Sequence, residues 1–446
     1  MPDVNRMMGS RRVVLPDGMR PASIQIRNGV IAGVGSYDRG CEEDYGELVI
    51  MPGLVDTHVH INEPGRADWE GFATATRAAA AGGVTTLIDM PLNSIPATVS
   101  VEALESKVAA APDQCWVDVG FWGGVIPGNG REARSLWEAG CFGFKCFLAP
   151  SGVDEFPHIT EAELRPAMAA IAACGGVLLA HAEDPGRLCS PAGDPRRYSS
   201  YLMSRPPRAE DSAIQLLLGL SGETGCRVHI VHLSSSGSLA HLAAARAGGI
   251  AVTAETCPHY LAFDAEEIGN GSTEFKCAPP IRESANRHAL WRALLGGGID
   301  CVVSDHSPCP PAMKRKDTGD FLSAWGGIAS LELGLSTVWT EACQRSASIE
   351  DVVRWMSAGP AKLAGLENRK GAIARGHDAD LVIWEPEAGF TVEPARLRQR
   401  HKLTPYAGRR LLGVVYKTLL RGEEVDPEGP ATGRVLRRGD SRVRSA

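Results

Sequence analysis

A (β/α)8 TIM-type barrel of the α/β class, carrying a small β-sandwich domain formed by the N- and C-terminal segments, is the architecture this 446-residue sequence predicts. Three observations predict it. Between residues 51 and 365, eight short apolar runs alternate with Ala-, Leu- and Glu-rich stretches, the pattern of repeated βα units. Several runs close on a histidine, lysine or aspartate, and in such barrels the C-terminal strand ends carry the site. Outside that block both ends of the chain read as strands, and termini of compact domains tend to lie close together. The expected division is therefore 1–50 for the N-terminal part of the small domain, 51–365 for the barrel and 366–446 for its C-terminal part and tail.

Taken in order, residues 24–27 and 30–34 flank Asn28-Gly29, a dipeptide suited to positive φ at both centres of a type I′ hairpin turn. The barrel runs are the segment ending in His58 and His60, then 84–90, 116–122, 142–147, 177–181, 228–232, 250–255 and 301–305. Residues 72–81, 161–173, 212–220 and 239–247 have the composition and apolar spacing of amphipathic helices. After residue 366, Gly371-Ala372-Ile373, a turn around Gly376, and the runs 379–384 and 413–417 return to β.

Composition narrows the function. With 44% hydrophobic and 22% charged residues the chain is of ordinary globular type, and no apolar run is long enough to span a bilayer. A formal net charge of −7 gives no basic field for nucleic acid, and the arginine-rich stretch 434–444 reads as a solvated end. Twelve cysteines are scattered singly, as expected for reduced core residues. Residues 1–12 have no apolar segment of a secretory signal, so the expected location is cytoplasmic, with an organellar address left open.

Chemistry concentrates at the strand ends. In Asp56-Thr57-His58-Val59-His60 the two imidazoles are two apart, so on a strand they share a face and can converge on one metal ion. Lys145, His181, His232 and Asp305 each close or sit within a further run. In Val228-His229-Ile230-Val231-His232, strand alternation puts His232 on one face with Ile230 and turns His229 towards the helices. Lys145, in the apolar run Gly143-Phe144-Lys145-Cys146-Phe147, is expected to have a depressed pKa if buried, and such an amine can capture carbon dioxide as a carbamate, an anionic ligand for two metals; a lysine snorkelling from a strand edge is the other reading of the same residue. Asp305 suits both metal ligation and general-base work. His158, His229, His241, His288, His377 and His401 are assigned to surface or core, His259 to the surroundings of the site, and 150–157 to a loop over it.

The segments 56–66, 143–147, 229–235 and 303–308 resemble the cyclic amidohydrolases of the dihydroorotase-like branch, and the allantoin-hydrolysing members most closely; Gly371 to Trp384 is similar to that superfamily's C-terminal signature. The resemblance implies two divalent metal ions, zinc first with cobalt, manganese or iron as alternatives. His58, His60 and Asp305 would hold one, His181 and His232 the other, and carboxylated Lys145 would bridge them. It also implies a metal-activated water as nucleophile, Asp305 as base and a homotetramer. Asn62, Asn93, Ser307 and the backbone near Cys277-Ala278 are the substrate-side candidates. Related dihydroorotases carry arginine where this chain has Asn62, so a neutral substrate, allantoin opened to allantoate in purine degradation, is expected. Hydantoin, dihydropyrimidine or dihydroorotate hydrolysis and a catalytically dead scaffold are the alternatives.

Overall fold

A computed structural model describes residues 5–38 and 41–440. Eight parallel strand segments follow one another around a barrel: Leu54–Val59, Val84–Asp89, Asp118–Phe121 continued by Gly123–Gly124, Phe144–Phe147, Val177–His181, Arg227–Ile230, Val252–Thr256 and Cys301–Val302. The ring closes where Val59 bridges His306 and the His60 N–H donates to the His306 carbonyl at 2.8 Å. Because helices cover the outside, strand residues such as Leu178, Val228 and Ile230 pack with Leu164, Ile171, Leu217 and Leu242 of the surrounding helices in one apolar layer.

Local signals explain the helix limits. Phe72–Ala81, Glu161–Ala173 and Leu239–Ala247 form at the predicted positions, the second under a capping box in which Thr160 and Glu163 satisfy each other's backbone N–H groups. The 212–220 prediction is too short. That helix runs Pro207–Thr224, with proline at its start and Gly225 at φ 69° as a left-handed cap.

Both chain ends contribute to one eight-stranded sheet, in which Val49–Pro52 lies between Asn5–Leu15 and the C-terminal strand Leu381–Thr391. Its core is separate from the barrel's and includes Met8, Ile24, Ile50, Leu381 and Leu419. The expected hairpin joins Gly18–Arg27 to Val30–Gly35, with φ 52° at Asn28 and 76° at Gly29.

Two further expectations need correction. Gly371-Ala372-Ile373 is irregular and not a strand: Gly371 has φ 78°, and a Cβ there would lie 2.7 Å from the Ser357 carbonyl oxygen, so the chain crosses a helix end too closely to extend. The basic stretch 434–444 is not a free solvated end over its described part. Arg434 and Leu436 hydrogen-bond to Val119 at 2.9 and 2.8 Å, stitching the tail to the third barrel strand, while positions 441–444 lie outside the described residues. All twelve cysteines are free, and among the described residues no helix is long and apolar enough to cross a membrane.

Candidate metal centre

His58, His60, His181, His232 and Asp305 sit at or just beyond the C-terminal ends of strands one, five, six and eight, and Lys145 sits within strand four, all six at most 6% exposed. His58 Nε2 lies 3.2 Å and His60 Nε2 3.6 Å from the same oxygen of Asp305. Opposite them, His181 Nδ1 faces His232 Nε2 at 3.0 Å, and the His58 and His232 rings are 5.3 Å apart. Lys145 is fully buried and its ammonium nitrogen has no hydrogen-bond partner. Burial lowers its pKa to about 8, with Glu255 and Asp305 opposing that fall.

His232 reaches the centre by a route strand alternation did not foresee. Lys145, Leu179, His229 and Thr253 are neighbours in register across the sheet, so His229 faces the barrel interior and Ile230 the helices. The strand then ends at Ile230, and a φ of 39° at His232 swings its ring inward. Asn62, Asn93 and Asp305 also have positive φ, of 65°, 67° and 44°. Left-handed backbone at non-glycine residues is costly, and here it gathers at the mouth of the barrel.

Carboxylates that sequence reasoning missed orient the imidazoles. Glu255 accepts from His58 Nδ1 at 2.5 Å and from His229 Nε2 at 2.9 Å, so His229 is an interior strut. Burial pushes the Glu255 pKa up, but His58 and His229 outweigh it and hold the carboxyl well below its usual range. Glu183 accepts from His181 Nε2 at 2.7 Å and from both Nε and Nη2 of Arg205. The available signal was position: Glu255 stands at the seventh strand's end and Glu183 two residues after His181.

Above the centre opens a cavity of about 350 Å³. Asn93 and Ser307 line it, as does Ala278 of the Cys277-Ala278 stretch, whereas Asn62 and Cys277 itself do not: Asn62 turns its amide to the Pro308 carbonyl at 3.4 Å, and Cys277 points its sulfur at the Pro279 carbonyl. The predicted loop supplies Pro150, Ser151 and Gly152 to the wall and is tied across the mouth by an Arg66–Glu155 ion pair. His259 is buried beside Asp305 and Cys257, with neither ring nitrogen hydrogen-bonded and its pKa lowered by burial to about 4.

The donor set fits divalent cations. With Nδ1–H of His58 given to Glu255 and Nε2–H of His181 given to Glu183, the nitrogens left facing the centre carry lone pairs. At His58 that lone pair meets a carboxylate oxygen at 3.2 Å, an arrangement a cation between them relieves. Burial pushes the Asp305 pKa up, yet the surrounding imidazoles outweigh it and keep the group an anion.

A model of the amidohydrolase family matches residues 49–425. The chain belongs to that family. It is 52% identical to the allantoinase of Streptomyces avermitilis over 98% of this chain and 100% of that protein. Against the allantoinase of Arabidopsis thaliana identity is 45%, over 96% of this chain and 89% of the plant protein. Among solved amidohydrolase structures, the L-hydantoinase (dihydropyrimidinase) of Arthrobacter aurescens superposes with a TM-score of 0.90 at 30% identity, covering 97% of this chain and all of that one. Barrel and appended β domain are thus shared across the whole length.

Proposed function

We propose that this amidohydrolase is an allantoinase, opening the hydantoin ring of allantoin to allantoate, with His58, His60, Lys145, His181, His232 and Asp305 as ligands of two divalent ions, zinc by first choice. The carrying observation is near-complete alignment with a bacterial allantoinase at 52% identity in a chain whose buried donors converge at one barrel mouth.

When bound, the ions supply Lewis acidity, bringing the pKa of water towards neutrality and stabilising charge that develops on an amide oxygen. The chain supplies the rest. Lys145, buried and without a hydrogen-bond partner, adds its amine nitrogen to carbon dioxide and releases a proton, giving an anionic carbamate between the two histidine pairs. Asp305, held ionised, takes the proton from attacking water and returns it to the departing ring nitrogen. Asn93 offers an amide that can both donate and accept, and Ser307 a hydroxyl, matching a ring of alternating N–H and C=O groups. The Phe147 ring stacks on His181 at 4.5 Å and covers one face of the imidazole.

The test is a ring-opening screen on allantoin, hydantoin, dihydrouracil and dihydroorotate, with elemental analysis of the same sample. Preference for allantoin with two metal equivalents is expected. A preference for hydantoin would make it a hydantoinase, and an inert metal-free protein would make it a scaffold. The same reading takes the chain as a cytoplasmic homotetramer in purine degradation, checked by light scattering on the eluting protein. The working domain boundaries are 1–50 and 366–446 for the small domain and 51–365 for the barrel.

A further inference from the structure

Two cationic side chains reach the cavity wall, Arg205 and Lys276. They are used differently. Lys276 directs its ammonium at the carbonyls of Leu322 and Ala324, 3.1 and 2.5 Å away, and so pins the segment that forms one side of the cavity. Arg205 lies just past the short helix Tyr198–Ser204, with its carbonyl held by Arg282 Nη1 at 3.2 Å. Its Nε and Nη2 donate to the two oxygens of Glu183 at 3.0 and 2.5 Å, a bidentate pair that fixes the guanidinium plane. Among the described residues Nη1 has no protein partner, while the side chain remains 20% exposed on the cavity wall.

Charge decides what that free edge suits. Glu183 is fully buried and already balances the guanidinium, so Nη1 is a hydrogen-bond donor on a neutralised pair and not an open positive charge. Such a donor favours a neutral oxygen over a carboxylate, which would have to face Glu183 as well. Arg205 is also separated from the ion-facing nitrogen of His181 by the width of that imidazole and by Glu183. It therefore addresses the part of a ligand remote from the reacting amide.

We propose that Arg205 binds the neutral urea-type carbonyl of the substrate's side arm, and that this contact selects ureido-substituted over unsubstituted rings. The inference rests on the allantoinase reading, in which the ring carries a ureido group. Glu183 has two tasks in this arrangement: it orients His181 and it cancels the charge of the residue that reads the substrate.

The test uses the metal-loaded full-length enzyme. Arg205→Lys keeps a cation for Glu183 but loses the planar fork, and hence the donor edge. With allantoin, KM is expected to rise ~10-fold, as for loss of one hydrogen bond, while kcat stays within about threefold. Metal content and thermal midpoint should match wild type. Arg205→Gln is the second variant, with millimolar guanidinium salts expected to lower its raised KM. An unchanged KM in Arg205→Lys would show that the side chain does not touch substrate. A loss of bound metal in step with activity in that variant would reduce Arg205 to a prop for Glu183 and overturn the proposal equally. Failure of wild type to open allantoin would instead sink the allantoinase reading, which separates the two failures.

Discussion

Single residues carry the chemistry through what burial does to them. Lys145 is a fully buried amine with no hydrogen-bond partner, an arrangement that is costly for an ammonium and natural for the neutral amine that adds to carbon dioxide. Lys145→Ala is accordingly expected to lose both activity and bound metal, and short-chain carboxylates to restore part of the rate; an alanine variant with full metal content and normal turnover would end the carbamate assignment. Asp305→Asn keeps shape and one oxygen ligand but removes the proton acceptor. Its kcat should fall at least ~10²-fold with some metal retained, measured on one sample, and a near-normal rate at full occupancy would move the base elsewhere. Glu255→Gln probes the strut behind His58. It should weaken metal binding ~10- to 100-fold in competition with a chelator, because the imidazole loses the anion that fixes its tautomer.

Elements act by ending where they do. The sixth and eighth strands stop at Ile230 and Val302, short of His232 and Asp305, and the positive φ at those two residues turns the side chains onto the centre. A helix end offers a simpler case. Gly225 caps Pro207–Thr224 at φ 69° with nothing near an added Cβ, so only backbone strain opposes a side chain there. Gly225→Ala should cost about 1 kcal/mol in denaturant unfolding with kcat unaltered. A stability equal to wild type would mean that the cap relaxes freely.

At the scale of the molecule, barrel, small domain and tail meet on Asp118 at the start of the third strand. One of its oxygens accepts from Lys370 at 2.8 Å, and the other from Arg421 at 2.7 Å and the Arg434 N–H at 3.0 Å; Lys370 also pairs with Asp380. Removing one anion from such a buried network leaves cations uncompensated. Asp118→Ala is expected to cost about 3 kcal/mol and lower the thermal midpoint, while metal content of the folded fraction is kept because the site lies at the opposite strand ends. An unchanged midpoint would mean that Asp378 and Asp380 suffice to hold Lys370.

Alternation of apolar runs with helical stretches, the His58/His60 spacing and the Asn28-Gly29 turn determined, from sequence alone, a barrel with a terminal β domain and the residue types gathered at its mouth. Those features are local, set by side-chain period and backbone preference. What needed the tertiary structure was anything fixed by neighbours distant in the chain. Alternation placed His229 on the outer face because it cannot register the end of a strand at Ile230. Glu255 and Glu183 look like ordinary carboxylates until His58, His229, His181 and Arg205 are packed around them. The tail reads as solvated because its partner, Val119, lies more than three hundred residues away. Asn62 likewise reads as substrate-facing, yet the structure turns its amide to the Pro308 carbonyl, behind the cavity wall. Spacing in sequence sets which groups can share a face; only the closed barrel decides which of them meet, because burial and pairing are properties of the assembled surroundings.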